Sequence, residues 1–220
     1  MKLVLIRHGQ TAANLSAALD TRLPGLPLTN LGQSQAQSMS ERFSKEVGDR
    51  LDALTVSAMT RTRQTAAPLC ARYGVKPQVS AQIREVSAGD YEMSSSPVAI
   101  RVYVEACYAW MNANFAHRMP GAEDGYEFLG RVVPIIRDVM ERAYRSGGDE
   151  GVGGIVAHGG LIRVLSAVLS EDIRLGVSPT QFMSNTGMAV FEANIHEFRQ
   201  LRIGEVAYLK ALSWDGYQLR

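Results

Sequence analysis

Arginine and histidine side chains follow three separate apolar stretches of this chain. Arg7 and His8 come directly after LVLI, and Arg61 lies shortly after ALTVSA. His158 ends a third stretch, GGIVAH. A guanidinium group binds phosphate oxygens through its planar set of donors, and an imidazole can act as a nucleophile or carry a proton. Together these residue types predict a phosphate pocket built around imidazoles.

Each apolar stretch is typical of a buried strand, because it is short, continuous and apolar. Helical segments alternate with these strands. Apolar side chains recur every three or four residues in QSQAQSMSERFSKEV, within a helix predicted to begin near Asn30 with Gln33 as its capping-box partner. Further predicted helices are TRTRQTAAPLCARYG, residues 97–118, residues 125–145 and LIRVLSAVLS. VKPQVS, MAVFEAN and FRQLRIGEV are predicted strands, the last two forming a closing pair. The alternation favours an α/β layered domain with a largely parallel sheet.

The ends of the three strands are expected to lie along one edge of that sheet, because ligands of parallel sheets bind beyond the carboxyl ends of the strands. Arg61 and Arg63 lie two positions apart, about 200° around a helix, so only one of them is expected to face the edge. Gly159 and Gly160 follow His158 and are predicted to open a helix. The free backbone N–H groups of such a helix start offer a seat for an anion.

The composition limits the classes of function. The 220 residues are 46% hydrophobic, which suits a single domain with a sizeable core, and the formal net charge is +1. That charge gives no bulk attraction to nucleic acid or to an acidic membrane, and no run approaches the ~20 apolar residues of a membrane-spanning helix. The two cysteines, Cys70 and Cys107, indicate a reducing compartment. Because the first apolar run is too short for a signal peptide, a cytoplasmic protein is expected.

Each residue also has a purely structural interpretation when it is taken alone. An Arg-His pair after a strand is usually a surface pair, and His117 and His196 are interpreted as structural or surface residues. A metal site is disfavoured, because His8 and His158 lie in none of the usual zinc-ligand spacings and no cluster of Cys or carboxylates adjoins them. No Walker A or G-x-G-x-x-G sequence is present, so a glycine loop that cradles a nucleotide is also disfavoured.

Several motifs together resemble those of the histidine phosphatase superfamily, which contains cofactor-dependent phosphoglycerate mutases and many phosphomonoesterases. RHGQTAAN carries the Arg-His-Gly signature of that family, and IVAHGGLIRVL carries its second histidine. GLPLTNLGQSQA, SAMTRTRQTA and IREVSAGDYE match three further family stretches. Departures from the family pattern are Ala58, Ile83, Tyr91 and Met93. The matches span residues 3 to about 166, and the resemblance implies a three-layer α/β/α sandwich of the phosphoglycerate mutase-like type, formed by residues 1–220 as one domain.

The resemblance implies which residues transfer the phosphoryl group. His8 corresponds to the histidine on which the family forms a phosphohistidine, a covalent intermediate that divides one difficult step into two easier ones. The residues that would hold the phosphoryl oxygens are Arg7, Asn14, Arg61 and His158.

The resemblance also implies a general acid. Glu85 corresponds to the family's carboxylic acid that protonates the leaving alkoxide and then activates water. Asp90 and Glu92 lie close by in the sequence, but the register of Glu85, Gly89 and Glu92 within the family stretch favours Glu85. Because arginines neutralise the phosphate charge in this scheme, no metal or other cofactor is required.

Two reactions remain open at this point. Phosphoglycerate mutases of the family carry a basic stretch shortly after the acid, and that stretch grips the substrate carboxylate. The corresponding run here, YEMSSSPVAIRVYVEACYAW, holds only Arg101. A phosphohydrolase of a small phosphorylated metabolite is therefore predicted, with a phosphoglycerate mutase as the alternative and a non-catalytic phosphate-binding module as the third interpretation. The sequence does not identify the metabolite, and it is compatible with a homodimer.

The residues from about 94 to 125 are predicted to form an inserted helical lid that shapes the substrate pocket. Its aromatic and imidazole side chains are Tyr103, Tyr108, Trp110, Phe115 and His117. For any one of the aromatic residues, a place in the core of the helix is as good an interpretation as contact with substrate.

Overall fold

Strands and helices alternate along the chain. The computed structural model describes residues 1–176, 182–215 and 217–218. The strands are β1 (Lys2–Arg7), β2 (Ala53–Ser57), β3 (Gln78–Ser80), β4 (Val152–Ala157), β5 (Met188–Glu192), β6 (Lys210–Trp214) and β7 (Tyr217–Gln218). The helices are α1 (Ala12–Ser16), α2 (Asn30–Glu46), α3 (Thr60–Tyr73), α4 (Pro97–Met111), α5 (Gly125–Gly147), α6 (Gly159–Leu169), α7 (Glu171–Gly176) and α8 (Ile195–Gln200). Short 3-10 turns cover Ala81–Ile83, Gly89–Tyr91 and Gly148–Glu150.

The strands form one sheet in the order β3-β2-β4-β1-β5-β6-β7. β3, β2, β4 and β1 are parallel neighbours, whereas β5, β6 and β7 pair in antiparallel fashion. In the β1–β4 pair, Arg7 lies opposite Ala157. The residues that follow them, His8 and His158, therefore leave the sheet side by side. The α/β fold with a mostly parallel central sheet is confirmed.

Helices cover both faces of the sheet, because the central strands are apolar on both sides. Leu3 and Leu5 pack into a core shared with α4, α5 and α6. Val4 and Ile6 point the other way, into a core shared with α2 and α3. Side chains alternate between the faces of a strand, so a strand buried on both faces reads as an unbroken apolar run. This arrangement explains why LVLI contains no polar residue.

Two predicted details of the helix starts and strands are wrong. Helix α2 is capped by Thr29, whose hydroxyl accepts a hydrogen bond from Gly32 N at 3.0 Å, so Gln33 is not the capping-box partner. FRQLRIGEV is not a strand, because α8 occupies its first residues. That helix begins with a capping box in which Asn194 and Glu197 bond each other's backbone N–H groups at 3.0 and 2.8 Å. The strand that pairs with β5 comes later, as β6.

Two element boundaries also differ from the sequence prediction. The helix predicted over 97–118 ends at Met111, since Asn112 caps it and Ala113 adopts a positive φ of 63°. The loop NLSAALDTRLPGLPLTN begins with residues of the short helix α1, where Thr11 and Asn14 form a capping box. Both differences arise from local capping interactions that leave the order of the elements unchanged.

Candidate active site

His8 and His158 lie together at the carboxyl edge of the sheet. Their ring centroids are 5.3 Å apart and their planes meet at 60°. Nδ1 of His8 lies 2.7 Å from the carbonyl oxygen of Gly9. A carbonyl only accepts hydrogen bonds, so this nitrogen carries the proton and Nε2 of His8 keeps its lone pair. Nε2 of His158 lies 2.8 Å from Oγ of Ser57, at the end of β2.

Both imidazoles are held in the neutral form. Burial lowers the pKa of His8 well below its usual value, and the charges of Arg61 and Arg7 lower it further. The pKa of His158 is also lowered well below its usual value, first by burial and then by the charge of Arg61. Low dielectric and neighbouring cations both disfavour a charged imidazole. A neutral ring with a free Nε2 is the form in which histidine acts as a nucleophile.

Two arginines flank the imidazoles. Arg61, in the first turn of α3, is only 3% exposed, and it donates hydrogen bonds to Oδ2 of Asp20 at 3.1 Å and to the Asp20 carbonyl oxygen at 2.8 Å. Arg7 donates through Nη1 to the carbonyl oxygen of Met183, while its Nε is buried without a partner among the described residues. Arg63 is exposed, so of Arg61 and Arg63 only Arg61 faces the sheet edge, as predicted.

The start of helix α6 holds the carboxylate of Glu85. Backbone N–H groups of Gly160 and Leu161 donate to its two oxygens at 3.0 and 2.7 Å. The predicted anion seat at this helix start is therefore occupied by a side chain of the protein itself. Gly159 lies beside Arg7, since a Cβ on Gly159 would come within 3.1 Å of Arg7 Nε.

A buried arginine fixes the segment that carries Glu85. Arg131, on α5, donates to the backbone oxygens of Gln82, Arg84 and Glu85 at 2.6, 2.9 and 3.2 Å. Its charge is balanced by Glu123 at 2.5 Å. Five donors in a rigid plane let one guanidinium hold three carbonyls and a carboxylate together. The backbone of Glu85 is therefore fixed by α5, and its carboxylate by α6.

The other two carboxylates near Glu85 have different surroundings. Glu92 accepts hydrogen bonds from the backbone N–H groups of Thr21 and Arg22 at 2.8 and 3.0 Å and from the Thr21 hydroxyl. Asp90 is exposed. Of the three, only Glu85 lines the cavity at the sheet edge. Glu85 is therefore the carboxylate of these three that the structure places at the cavity.

Asn14 reaches the site from α1. Its Oδ1 accepts from the backbone of Thr11 at 3.0 Å and from Nδ2 of Asn185 at 3.1 Å. The same Asn185 amide donates to the carbonyl oxygen of His8 at 3.1 Å. Asn185 therefore ties α1 to the end of β1.

A cavity of about 510 Å³ opens over these residues. It is lined by six of the predicted site residues, Arg7, His8, Asn14, Arg61, Glu85 and Gly159. The seventh, His158, is fully buried and is not among the residues that line the cavity; its ring centroid lies 5.3 Å from that of His8. From the predicted lid, only Tyr103 among the aromatic side chains lines the cavity, whereas Trp110 and Phe115 are buried in the core and Trp110 stacks on Phe128.

Outside this cavity, the described histidines and possible metal ligands form no second candidate site. His117 and His196 are exposed and lie outside the cavity. Within residues 1–176 and 182–215, no group of three or more His, Cys, Asp or Glu side chains is placed to hold a metal ion. Among the helices described, none has both the length and the apolar character needed to cross a membrane.

Sequence reasoning missed three residues that support the site: Asp20, Arg131 and Asn185. Asp20 lies in a loop without periodicity, so nothing in the sequence links it to Arg61. Arg131 interrupts the apolar face of α5, and a buried charge within such a face is the one signal that marks it.

Comparison with known proteins places this geometry in a family. The model of the histidine phosphatase superfamily (branch 1) matches residues 3–206. A glucosyl-3-phosphoglycerate phosphatase of Mycobacterium tuberculosis (strain ATCC 25618 / H37Rv) is 32% identical over 174 residues, which cover 76% of this chain and 74% of that protein. A 2,3-bisphosphoglycerate-dependent phosphoglycerate mutase of Methylobacterium sp. (strain 4-46) is 30% identical over 172 residues, which cover 76% of this chain and 79% of that protein. PE-PGRS family protein PE_PGRS11 of Mycobacterium tuberculosis is 37% identical over 107 residues, 48% of this chain but only 18% of that protein.

Solved structures agree in fold. A protein described as mycobacterial hydrolase 1 superposes with a TM-score of 0.73 at 25% identity, covering 97% of both chains. A mycobacterial glucosyl-3-phosphoglycerate phosphatase in complex with VO3 superposes with a TM-score of 0.74 at 23% identity, covering 98% of this chain and 99% of that one. The matched family model, the curated relatives and the site geometry lead to one conclusion: the chain belongs to the histidine phosphatase superfamily and is a phosphatase of that family.

Proposed function

We propose that this phosphatase hydrolyses small phosphorylated metabolites through a phosphohistidine formed on His8. The observation that carries the proposal is the free Nε2 of a neutral imidazole, which lines a 510 Å³ cavity beside Arg7 and Arg61. Nucleophile and cations are thus close enough to meet one phosphate group. Relatives named as glucosyl-3-phosphoglycerate and adenosylcobalamin/alpha-ribazole phosphatases support a small phosphomonoester as substrate.

In the first step, Nε2 of His8 attacks phosphorus and the bond to the ester oxygen breaks. The leaving alkoxide takes a proton from Glu85, and the arginines stabilise the charge on the phosphoryl oxygens. In the second step, the Glu85 carboxylate takes a proton from water, whose oxygen attacks phosphorus. The bond from phosphorus to nitrogen then breaks, which releases inorganic phosphate and restores neutral His8. Charge is neutralised by side chains throughout, so the proposed reaction needs no metal.

In this proposal His158 lies next to the nucleophile and helps to hold the phosphoryl oxygens, as the family resemblance implies. Its ring lies 5.3 Å from that of His8 and is hydrogen-bonded to Ser57 at 2.8 Å. Asn14 lines the same cavity and offers its amide to a phosphoryl oxygen. The segment 94–125 acts as a lid in this proposal, with Ile100, Tyr103, Val104 and Cys107 of α4 forming one wall of the cavity.

Hydrolysis is favoured over mutase chemistry. Arg101 is the one basic residue of the run that follows Glu85, and its side chain is 67% exposed and lies outside the cavity. A phosphorylated intermediate is therefore not held in place by a basic stretch on α4, and water can replace it.

The test is to trap the phosphoenzyme. Protein incubated briefly with labelled substrate and quenched in alkali should carry an alkali-stable, acid-labile phosphate, and His8→Ala should carry none. Hydrolysis of p-nitrophenyl phosphate should continue in excess EDTA. Label that persists in His8→Ala, or turnover that is lost with EDTA and restored by a divalent ion, contradicts the proposal. Rapid interconversion of 2- and 3-phosphoglycerate with little phosphate release would establish the mutase alternative instead.

A further inference from the structure

Arg163, on α6, is a buried cation that the proposed reaction does not use. It is only 3% exposed, and it lines the cavity that contains His8. Its Nε and Nη2 atoms are buried without a hydrogen-bond partner, and no ion pair links it to a carboxylate in the described part of the chain. Removing a guanidinium from water without a partner costs free energy, so such a group marks a place where an anion binds favourably.

Among the described residues, the groups that face Arg163 do not neutralise it. The ring of Phe182 lies 4.7 Å from its guanidinium carbon, a cation–π contact that leaves the charge in place. The two titratable neighbours are Tyr103 and Cys107. Burial raises the pKa of Cys107 to about 12 and raises that of Tyr103 well above its usual value, so both remain uncharged at neutral pH.

The helix sets the distance from Arg163 to the phosphate site. Gly159, which lies against Arg7, is one helical turn before Arg163, a rise of about 5.4–6 Å along α6. Side chains of a helix tilt towards its N-terminus, so the Arg163 side chain leans back towards the cavity. The Arg163 guanidinium therefore lies about one helical turn from Arg7. This spacing suits a substrate that carries its phosphate and a second anionic group on the same short carbon chain.

We propose that Arg163 binds a carboxylate carried by the alcohol portion of the substrate, so that preferred substrates are short phosphomonoesters with a second negative charge. The inference rests on the proposed function and specifies the substrate class of the same site.

Two three-carbon phosphomonoesters isolate the carboxylate. 3-Phosphoglycerate carries a carboxylate where glycerol 3-phosphate carries a hydroxymethyl group. The wild-type protein should release phosphate from 3-phosphoglycerate with a kcat/KM at least about tenfold higher. In Arg163→Gln the kcat/KM for 3-phosphoglycerate should fall about ten- to hundredfold, mostly through KM, which is the range for a lost charge-assisted hydrogen bond. The value for glycerol 3-phosphate should fall by less than about threefold.

Two further variants separate the effect of the Arg163 charge from a general effect of losing an arginine. Arg163→Lys retains the charge and should recover part of the preference for 3-phosphoglycerate, while Arg101→Gln removes an exposed arginine of α4 and should leave both substrates unaffected. Equal kcat/KM values for the two substrates in the wild-type protein, or equal losses on both in Arg163→Gln, would overturn the inference. The wild-type comparison stands even if the Arg163→Gln protein unfolds. Absence of p-nitrophenyl phosphate hydrolysis by the wild-type protein would instead contradict the proposed function.

Discussion

The imidazoles of His8 and His158 meet edge to face, 5.3 Å apart, and neither is accessible enough to be solvated by bulk water. Burial and the charge of Arg61 lower the pKa of both rings well below its usual value. The folded protein therefore excludes two protons that the unfolded chain binds in mildly acidic solution. This difference in proton binding ties the stability of the protein to pH.

The free energy of unfolding should fall as pH decreases below about 6.5, the pKa of an unperturbed histidine. Above that pH both states hold neutral imidazoles, and the stability is fully present. Below it the unfolded chain takes up two more protons than the folded one, so stability decreases by about 1.4 kcal/mol per pH unit for each histidine, or about 2.7 for both. Urea unfolding at half-unit steps between pH 7.5 and 5.5 measures the slope. His8→Asn should roughly halve it, and an unchanged slope in that variant would contradict the prediction.

Asp20→Asn should destabilise the protein, because it leaves Arg61 charged and buried with no counter-ion. Breaking a buried ion pair by removing one partner costs about 3–5 kcal/mol of stability. The loss is smaller to the extent that the Asn side-chain oxygen still accepts hydrogen bonds from Arg61 and from Leu26 N. The control is Glu105→Gln, which breaks an exposed pair with Arg101 and should change the free energy of unfolding by less than about 0.5 kcal/mol. Urea unfolding at neutral pH measures both. A loss in Asp20→Asn no larger than the control would show that Asp20 is not the counter-ion of Arg61.

Gly160→Ala should lower kcat with little effect on the fold. A Cβ at this position would clash with the Tyr103 hydroxyl and lie 3.0 Å from Oε1 of Glu85, so the carboxylate must move. A displacement of about 1 Å in a catalytic group can cost on the order of a hundredfold in rate, so the smaller shift that a 3.0 Å contact requires should cost less than that. Gly130→Ala, on α5, is the matched control, since its Cβ meets nothing within 4 Å and alanine favours helix.

The same substitution offers a rescue test. Adding Tyr103→Phe to Gly160→Ala removes the hydroxyl with which the new methyl group clashes, so part of the lost kcat should return. If the double variant is no more active than Gly160→Ala, crowding against Tyr103 is not the cause of the loss.

Glu85→Gln should separate leaving-group protonation from nucleophilic attack. With an alkyl phosphate, single-turnover rates should fall by about 10²–10⁴-fold, as expected for the loss of a general acid. With p-nitrophenyl phosphate, whose leaving group hardly needs a proton, phosphorylation of His8 should suffer much less and a burst of nitrophenol should appear. Circular dichroism checks the fold, because the NH2 group of Gln cannot accept a hydrogen bond and one of the two α6 N–H donors loses its acceptor. Equal losses on both substrates would remove Glu85 from the acid role.

The sequence predicts the scaffold well, because apolar runs and helical periodicity are local signals. LVLI and GGIVA are confirmed as buried strands, which the structure pairs as neighbours, and the residues that follow them converge as expected. The pairing of Arg61 with Asp20 and the position of Glu85 on the N-terminus of α6 depend on loop paths that have no periodicity. FRQLRIGEV differs from the prediction for a related reason. Its apolar residues suit a strand, but the Asn194–Glu197 capping box starts a helix that includes its first three residues.

The central pairing of β1 with β4 has a consequence for synthesis of the protein. The histidine that follows β1 leaves the ribosome well before its partner histidine, which follows β4, and the hydrogen bond from that partner to Ser57 spans 101 positions. Contacts of such long range form late and slowly. A nascent chain that ends before β4 therefore carries the nucleophile without the buried surroundings that keep its imidazole neutral. Phosphatase activity should appear only once translation has passed α6, so enzymatic turnover can serve as a reporter of completed folding.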